Sequence, residues 1–388
     1  MTTRILFVAK TREYGGAERH LQDLIRRLDD PTSNVTVLCY GSDFYSKFLK
    51  NQPNVCVIAK ERAEPQSLFA YWLTFVKARP DTIVLVKGWS EEFSLRTYLA
   101  ARVSGAKRFI AIEHLEADSA PQEVPGHGFK RYLGKVFGWR RRFLLKKRLQ
   151  GTLCTSTICV SRATRDRLIH DYHYPEHKTV TISNGVDLKR FTAGNSENRQ
   201  KFRDSFGVRS DEAVLVCASR LSDRKRIDVF LEALAKVAKD QSAWKCWILG
   251  GGPLEQELRA QTSRLGLDGQ IRFFGFQEDI GPFLKASDIY VSSSDKEGFS
   301  LSLLEAMACK LPCVATDIPG HNEVVVHGYN GLLVPRRSPE QLAEAITRLL
   351  GSPEERSSFG GNGRKRVEEC CDIDKSMARI GSIMLGLR

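Results

Sequence analysis

The stretch Glu297-Gly298-Phe299-Ser300-Leu301-Ser302-Leu303-Leu304-Glu305 decides the fold. It follows the apolar run 289–291 and leads into a helical pattern, which predicts a strand, a glycine-containing loop and a helix. Such a junction points several backbone N–H groups at one place, where the helix dipole favours an anion such as phosphate. Glu297 and Glu305 flank this place, and two carboxylates would repel the phosphate itself. We therefore assign them to neighbouring sugar hydroxyls, with a βα unit that carries surface carboxylates as the alternative.

The size and composition of the chain indicate a protein of two domains. Its 388 residues suffice for two hydrophobic cores. No apolar run approaches the roughly 18 residues that a spanning helix needs. The first apolar run, 5–9, is too short for a signal peptide, which predicts a cytoplasmic location. The ten cysteines show no metal-ligand or redox spacing, so we expect reduced and mostly buried thiols.

Strand and helix patterns alternate along the whole chain. This alternation predicts an α/β fold with parallel sheets covered on both faces. The polar stretch 193–209 lacks apolar periodicity and is the best candidate for a domain boundary. We therefore predict an N-terminal domain over 1–193, a C-terminal domain over 194–370 and a final helical segment over 371–388.

Several loops that follow predicted strands carry residues suited to a ligand. Gly15 and Gly16 enter a helix and allow close approach to its backbone, although such a pair is also typical of a tight turn. His114 lies just past the end of a strand, where open α/β sheets bind ligands, although a single histidine is more often structural. Arg220 and Lys225 are suited to clamp a diphosphate, although basic loops are common.

The net charge of +13 requires an explanation, and most of the excess lies in one segment. Residues 124–165 contain no Asp or Glu, and the pattern over 129–149 predicts a basic amphipathic helix with aromatic residues on its apolar side. Such a helix can lie on an anionic membrane. Packing with a solvated basic face and RNA binding are the alternatives. The residues we assign to membrane contact are Lys130, Arg131, Lys135, Trp139, Arg140, Arg141 and Arg142.

Taken together, the motifs resemble those of the retaining glycosyltransferases of family 4, which have the GT-B fold. The motifs occur in the same order over nearly the whole chain, and the part from about 214 to 335 is the most specific. They are Gly15-Gly16-Ala17-Glu18, Asn184-Gly185-Val186-Asp187 with Phe191, Arg220 with Lys225, the turn 250–253, and Glu297 with Glu305.

The resemblance implies two Rossmann-like domains that face each other across a cleft, with a final helix crossing back to the N-terminal domain. It implies a nucleotide-sugar donor held mainly by the C-terminal domain and an acceptor held by the N-terminal domain. On this basis Arg220 and Lys225 bind the diphosphate, with Gly15 and Gly16 closing over it, and His114 meets the sugar or the reacting centre.

The resemblance also assigns the remaining donor contacts. Glu305 would receive the ribose hydroxyls and Glu297 would lie by the donor sugar. The backbone of Gly298, Phe299, Ser300 and Leu301 would contact phosphate and sugar, and Gly275 with Phe276 would flank the base. Phe299 stands where many relatives have glycine, so these backbone contacts can differ here.

The sequence therefore predicts a retaining glycosyltransferase that needs neither metal nor cofactor, because Arg220 and Lys225 would stabilise the leaving diphosphate. The Asp372-Ile373-Asp374 run lies in the C-terminal tail and is interpreted as surface charge. The expected partners are a UDP-sugar, a glycan acceptor that is preferably lipid-linked, and the inner face of an anionic membrane, with no nucleic acid. The expected process is the synthesis of a cell-surface polysaccharide or lipopolysaccharide.

Two other functions fit the same sequence. A UDP-N-acetylglucosamine 2-epimerase of this architecture would convert its substrate without an acceptor. An RNA-binding or scaffolding derivative would show nucleic-acid affinity that falls steeply with salt, and no binding of nucleotide sugars.

Overall fold

The computed structural model describes residues 2–10, 15–28, 33–40, 54–60, 67–87, 93–114, 138–241 and 243–387, with the backbone alone at 59, 60, 139, 140 and 240. The chain divides into two compact units. Unit 1 comprises residues 1–183 together with 376–388, and unit 2 comprises residues 184–375. The α/β class predicted from the alternation of strands and helices is confirmed.

Unit 1 is built on a seven-stranded parallel sheet among its described residues, in the order β3-β2-β1-β4-β5-β6-β7. The strand order reverses between β1 and β4, which are neighbours in the sheet. The strands are β1 (Thr3–Lys10), β2 (Ser33–Tyr40), β3 (Val55–Lys60), β4 (Thr82–Lys87), β5 (Arg108–Glu113), β6 (Ser156–Cys159) and β7 (Thr179–Thr181).

The helices of unit 1 cover this sheet because their apolar sides pack on it. Tyr71, Phe75 and Tyr98 contribute aromatic rings to a core that also contains Leu6 and Leu85 of the strands. Alternate residues of β1, β2, β4 and β5 enter this core, as expected for one face of a sheet. The helices are α1 (Gly16–Leu28), α2 (Leu68–Ala78), α3 (Leu95–Arg102), α4 (Trp139–Leu153) and α5 (Arg162–His170).

Unit 2 repeats the plan with a six-stranded parallel sheet in the order β10-β9-β8-β11-β12-β13. All of its strands except the edge strand β10 are almost completely buried, which accounts for their continuous apolar runs. The strands are β8 (Ala213–Ala218), β9 (Trp244–Leu249), β10 (Ile271–Gly275), β11 (Ile289–Ser292), β12 (Cys313–Thr316) and β13 (Gly331–Val334).

The described helices of unit 2 flank its sheet, and the last helix of the chain begins there. Those within the unit are α6 (Ser196–Asp204), α7 (Ile227–Asp240), α8 (Glu255–Arg264), α9 (Gly281–Ala286), α10 (Leu301–Ala308), α11 (Pro339–Gly351) and α12 (Pro353–Cys370). Helix α13 (Ile373–Leu385) begins in unit 2, and from Ser376 onward its residues belong to unit 1. There the carbonyl oxygen of Met384 accepts hydrogen bonds from Thr82 Oγ1 at 2.8 Å and Arg108 Nε at 2.7 Å.

The polar stretch 193–209, which the sequence offered as a boundary, contains helix α6. Its contacts combine charged pairs with the ring of Phe202, which packs on Trp247 and Phe283, and one apolar residue gives no periodic signal. Arg199 Nη2 lies 2.5 Å from Asp288 Oδ1, and Arg203, which is buried, binds the other oxygen of the same carboxylate. Arg203 Nε also donates to the carbonyl of Ala286 at 2.8 Å. Paired charges therefore hold this helix to the unit together with the ring of Phe202.

Candidate functional site

The strand order of unit 2 reverses between β8 and β11, which lie side by side at the centre of its sheet. In open α/β sheets the loops beyond the carboxyl ends of such strands diverge and leave a crevice that binds ligands. The loop 219–226 follows β8 and the loop 293–300 follows β11. The predicted residues Arg220, Lys225 and Glu297 all belong to these two loops.

Glycines support the loop after β8 by allowing the backbone to approach it closely. A Cβ at Gly250 would lie 1.9 Å from the Ser219 carbonyl oxygen, and Gly250 has a φ of +125°. A Cβ at Gly252 would lie 2.2 Å from the Leu221 oxygen. The Leu221 N–H donates to Gly251 O at 3.0 Å. The run 250–252 therefore supports the loop after β8 through close backbone contacts.

The loops after β8 and β11 are joined by a buried ion pair. Lys225 Nζ donates to Glu297 Oε1, and Ser294 Oγ donates to the same oxygen at 2.7 Å. The two charged side chains are 12% and 8% exposed. Ser293 Oγ donates to the Lys225 carbonyl at 2.9 Å, which adds a second connection. The sequence assigned Lys225 and Glu297 to separate ligand groups, and it did not predict that they bind each other.

Glu297 is ionised at neutral pH. Burial alone would raise the pKa of its carboxyl, but Lys225, His321 and Arg224 oppose this effect and lower the pKa from 4.5 to about 2. A carboxylate held in this state can accept further hydrogen bonds from hydroxyl groups.

His321 interacts electrostatically with Glu297 and was missed by the sequence analysis. Its ring is completely buried, and Nδ1 donates to the Thr316 carbonyl at 3.0 Å. Burial lowers the pKa of the ring, an effect that Glu297 partly offsets. His321 follows the end of β12, so its position after a strand was the available signal.

Backbone contacts fix the loop that leads into α10. Asn184 Nδ2 donates to the Phe299 carbonyl at 3.0 Å. Gly320, with a φ of +88°, brings its Cα so close that a Cβ there would lie 2.6 Å from Gly298 O. Ser300 occupies the N-cap position of α10 and makes no side-chain cap hydrogen bond. The N-terminal amides of α10 are therefore not capped by the Ser300 side chain.

Glu305 lies within α10 and is 3% exposed, so both predicted acids of the central motif belong to the structured interior. Phe299 and Ser300 are also buried, whereas Leu301 is partly exposed. Tyr290 and Ser302 link β11 to α10 through their hydroxyl groups, 2.8 Å apart.

The residues predicted to flank a base lie at the end of β10. The Gly275 carbonyl accepts from the Gly250 N–H at 2.7 Å, and Gly275 has a φ of +67°. The ring of Phe276 is 59% exposed. This segment therefore adjoins the glycine run that supports the loop after β8, and it offers an exposed aromatic surface.

Unit 1 contains its own group of polar residues at the end of β5. Lys87 Nζ donates to Glu113 Oε1 at 2.5 Å, and both side chains are 6% exposed. His114 follows, and its ring lies edge-on to that of His20, with centroids 4.7 Å apart. Burial lowers the pKa of His114 well below its ordinary value and lowers the pKa of His20 to about 4. Both imidazoles are therefore neutral at pH 7.

Gly15 and Gly16 lie at the start of α1, as predicted. The Gly15 carbonyl accepts from the Arg19 N–H at 3.1 Å. Gly16 is the first residue of the helix.

The basic segment is described only from residue 138 onward. Lys130, Arg131 and Lys135 lie outside the described residues, as do the side chains of Trp139 and Arg140. Arg141 and Arg142 are exposed on α4.

The apolar side of α4 faces the interior. The Phe143 ring packs edge-on against Tyr172, with centroids 5.9 Å apart. Lys147, which the sequence grouped with the basic residues of this segment, is only 2% exposed and lies over the Phe143 and Tyr172 rings. On α4, Phe143 therefore packs inward, whereas Arg141, Arg142 and Arg148 are exposed.

Two further findings concern the described part of the chain. Its His, Cys, Asp and Glu side chains form no group of three or more that could hold a metal ion. Among its helices, none combines the length and the apolar composition that crossing a bilayer requires.

The sequence matches two family descriptions that together span most of its length. Residues 198–366 match "Glycosyl transferases group 1", and residues 14–190 match "Glycosyltransferase Family 4". The chain spans about half the length of most curated relatives that it matches.

One similar protein is the N-acetyl-alpha-D-glucosaminyl L-malate synthase of Bacillus anthracis. It is 27% identical over 55% of each chain. Another is the GDP-mannose-dependent alpha-(1-6)-phosphatidylinositol monomannoside mannosyltransferase of Mycolicibacterium smegmatis. It is 27% identical over 74% of this chain and 72% of that protein.

Solved structures show the same fold. A crystal structure of Anabaena HepE in complex with UDP and glucose superposes with a TM-score of 0.79, covering 99% of this chain and 100% of that one at 21% identity. This likeness identifies the GT-B architecture of two Rossmann-like domains that the sequence predicted. The matches to both halves of the chain and the shared fold lead to one conclusion: the chain belongs to the group 1, family 4 glycosyltransferases.

Proposed function

We propose that this protein transfers a hexose or N-acetylhexosamine from a UDP-sugar to a growing glycan, with retention of the anomeric configuration and without a metal ion. One observation carries the proposal. The buried Lys225–Glu297 ion pair lies at the switch point of unit 2, in the same pair of loops as Arg220 and the N-terminus of α10.

The cationic side of the site fits a diphosphate. Transfer places negative charge on the departing diphosphate, so cations and amides fixed in advance lower the barrier. Arg220 can bind two oxygens with its planar guanidinium, and Lys225 acts as a point charge whose remaining N–H groups can turn to a ligand. The N-terminal amides of α10 add the positive end of a helix dipole.

The acidic side of the site fits a carbohydrate. Glu297 stays ionised and buried beside Lys225, so it can accept hydrogen bonds from sugar hydroxyls. We assign the ribose hydroxyls to Glu305 and the base to the Gly275-Phe276 segment. His114, Gly15 and Gly16 belong to unit 1, and their contacts with the donor stay predictions from the family resemblance.

The anomeric configuration is retained if the acceptor oxygen attacks the anomeric carbon on the same face from which the diphosphate departs. The acceptor oxygen forms a bond to the anomeric carbon while the bond from that carbon to the phosphate oxygen breaks. The departing phosphate oxygen takes the acceptor proton, so no separate base is needed in this scheme. Arg220 and Lys225 would hold the phosphate in place through both events.

We assign the acceptor to lipid-linked glycans of a cell-surface polysaccharide or lipopolysaccharide, reached at the inner face of the membrane. Two observations support this assignment. The Mycolicibacterium smegmatis relative is named as a phosphatidylinositol monomannoside mannosyltransferase. Arg141 and Arg142 are exposed on a helix that contains no acidic residue.

A panel of nucleotide sugars tests which donor the protein uses. Purified protein is incubated in EDTA with UDP-, GDP-, ADP- and dTDP-linked hexoses and N-acetylhexosamines, with and without a lipid-linked glycan extract. Released nucleotide and the anomeric configuration of the product are measured. We expect UDP release that increases with acceptor and a retained configuration. Activity with GDP-sugars alone would overturn the assigned donor, and an inverted product would overturn retention. A requirement for added metal would overturn the metal-independent mechanism. Epimerisation without acceptor would overturn the transferase function.

A further inference from the structure

Three helices of unit 1 form one layer on one face of its sheet. The core on that face contains side chains from α2 and α3 and Cys154, which follows α4. Gln150 Nε2 of α4 donates to the carbonyl of Phe93, just before α3, at 3.1 Å. Since α2, α3 and α4 turn their inner sides to the sheet, their outer sides together make a surface that we call the outer helix layer.

The outer helix layer exposes large apolar side chains. Phe69 of α2 is 65% exposed, Val103 at the end of α3 is 61% exposed and Leu145 of α4 is 55% exposed. Leu73, Leu99 and Leu149 add smaller exposed areas on the same three helices. More than half of the exposed large apolar residues in the described part of the chain belong to this layer. Single exposed apolar residues are ordinary, but their concentration on one layer indicates an interaction surface.

Basic side chains lie between these apolar residues. On α3, Arg96 and Arg102 are exposed on the same stripe as Leu99 and Val103, at spacings of three and four residues. On α4, Arg141 and Arg148 share a stripe with Leu145 in the same way. None of the three helices contains an acidic residue. These three helices therefore combine positive charge with exposed apolar side chains and contribute no carboxylate of their own.

This combination selects among possible partners. Phosphate groups of a nucleic acid would account for the arginines, but they would leave exposed leucine, valine and phenylalanine without a role. A second copy of the same layer would bring like charges together. An anionic bilayer accounts for both features, because apolar side chains enter the headgroup boundary while arginines attract anionic lipids.

We propose that the outer helix layer is the membrane-docking surface of this protein and that its partner is an anionic lipid bilayer. The surface extends well beyond the segment 129–149, since Phe69, Leu73, Leu99 and Val103 lie on other helices. This inference deepens the proposed function and rests on it for the lipid-linked acceptor. Docking through this layer would keep the protein at the surface where such an acceptor is found.

Vesicle flotation tests the surface with the full chain. Vesicles of phosphatidylcholine alone are compared with vesicles that also contain phosphatidylglycerol. The variants Phe69→Glu and Val103→Glu place a carboxylate on α2 and α3, outside the basic segment. Val326→Glu is the matched control, because Val326 is 47% exposed in unit 2 and the charge change is the same.

We expect binding only to the anionic vesicles, weakened about tenfold or more by either layer variant and unchanged by the control. The proposal would be overturned if all three variants lost vesicle binding equally or if the layer variants had no effect on it. Equal binding to neutral and anionic vesicles would also overturn it. So would release from vesicles by RNA or dimerisation through the same residues without vesicle binding. UDP binding is measured on each preparation. If the protein binds UDP but no vesicles, only the membrane-docking surface is refuted. If it binds vesicles but no UDP, only the proposed UDP-sugar donor is refuted.

Discussion

At the scale of single residues, the contact between Lys225 and Glu297 defines the site. Each charge would be costly to bury by itself, and each makes the burial of the other tolerable. The pair also shows why a ligand with both phosphate and hydroxyl groups suits this place. It presents a cation and an acceptor of hydrogen bonds within one short distance.

Removing only one member of the pair should be destabilising. We expect Lys225→Met to lower the free energy of unfolding by about 3–5 kcal/mol at neutral pH, because it leaves the Glu297 carboxylate buried without its partner. The double variant Lys225→Met with Glu297→Gln should recover part of this loss. Urea unfolding measures both effects.

Lys236→Met is the control, since its partner Glu340 is 62% exposed and Lys236 itself is 43% exposed. Exposed pairs contribute little, roughly 0–1 kcal/mol. Equal losses for Lys225→Met and Lys236→Met would show that burial of the first pair has no energetic consequence.

The buried His20 gives unit 1 a defined response to acid. Its pKa falls from 6.5 to about 4 on folding because the ring is buried. Between these values the unfolded chain binds more protons than the folded one, so stability should decrease as pH falls from about 6.5 to about 4. His20→Gln should flatten the dependence of unfolding free energy on pH in this window, whereas His177→Gln, at an exposed position, should not. A slope that His20→Gln leaves unchanged would contradict this account.

At the scale of elements, close backbone contacts fix the loops around the site. Gly320 supports the loop before α10, and the run 250–252 supports the loop after β8. Gly250, Gly252 and Gly320 each lie where a Cβ would collide with a carbonyl oxygen. The positions of the amides and cations therefore depend on the backbones of neighbouring loops.

Gly320→Ala tests this dependence. The new Cβ would lie 2.6 Å from Gly298 O, so the loop before α10 must shift, and UDP binding should weaken along with stability. Gly328→Ala is the matched control: Gly328 also has a positive φ, +76°, but a Cβ there would meet no atom of the described residues within 4 Å. It should show only the conformational cost of about 1–2 kcal/mol. Differential scanning fluorimetry and UDP titration compare the two, and identical results would remove the role given to Gly320.

Most elements could be predicted from the sequence because their signals are local. The strands of both sheets appear as short apolar runs, and the helix after Ser300 follows from its apolar spacing. Helix α6 was not predicted as an element, because Phe202 is its one apolar residue and the other packing contacts are made by arginines that bind an aspartate. The sequence left open whether the segment around α4 packs on the protein or lies on a membrane, since no local pattern reveals that Phe143 packs on Tyr172.

The candidate site was predictable only in part for a related reason. Arg220, Lys225, Glu297 and Glu305 follow strands or begin a helix, and chain position alone brings them to one edge of the sheet. The Lys225–Glu297 contact, the burial of His321 and the support from Gly320 join loops that are distant in sequence. Such contacts depend on the register of neighbouring strands, which the sequence does not specify by itself.

At the scale of the whole molecule, the two units each contain a parallel sheet with its own core and its own group of polar residues beyond the strand ends. The net charge of +13 is concentrated in unit 1 helices that lack acidic residues, while unit 2 pairs its cations with carboxylates around the proposed donor site. From this distribution of charged residues we infer that unit 2 binds the donor and that unit 1 docks on the membrane.

The central claim is that the loops of unit 2 bind a nucleotide diphosphate through Arg220 and Lys225. Calorimetric titration of UDP in EDTA tests it most directly, with wild type, Arg220→Ala and the control Arg264→Ala, an exposed arginine on α8. The account predicts UDP binding without metal, weakened about 10–100-fold by Arg220→Ala, as expected for a lost charge-assisted hydrogen bond, and unchanged by Arg264→Ala. Equal affinity of all three proteins for UDP, or no binding to the wild type, would contradict it.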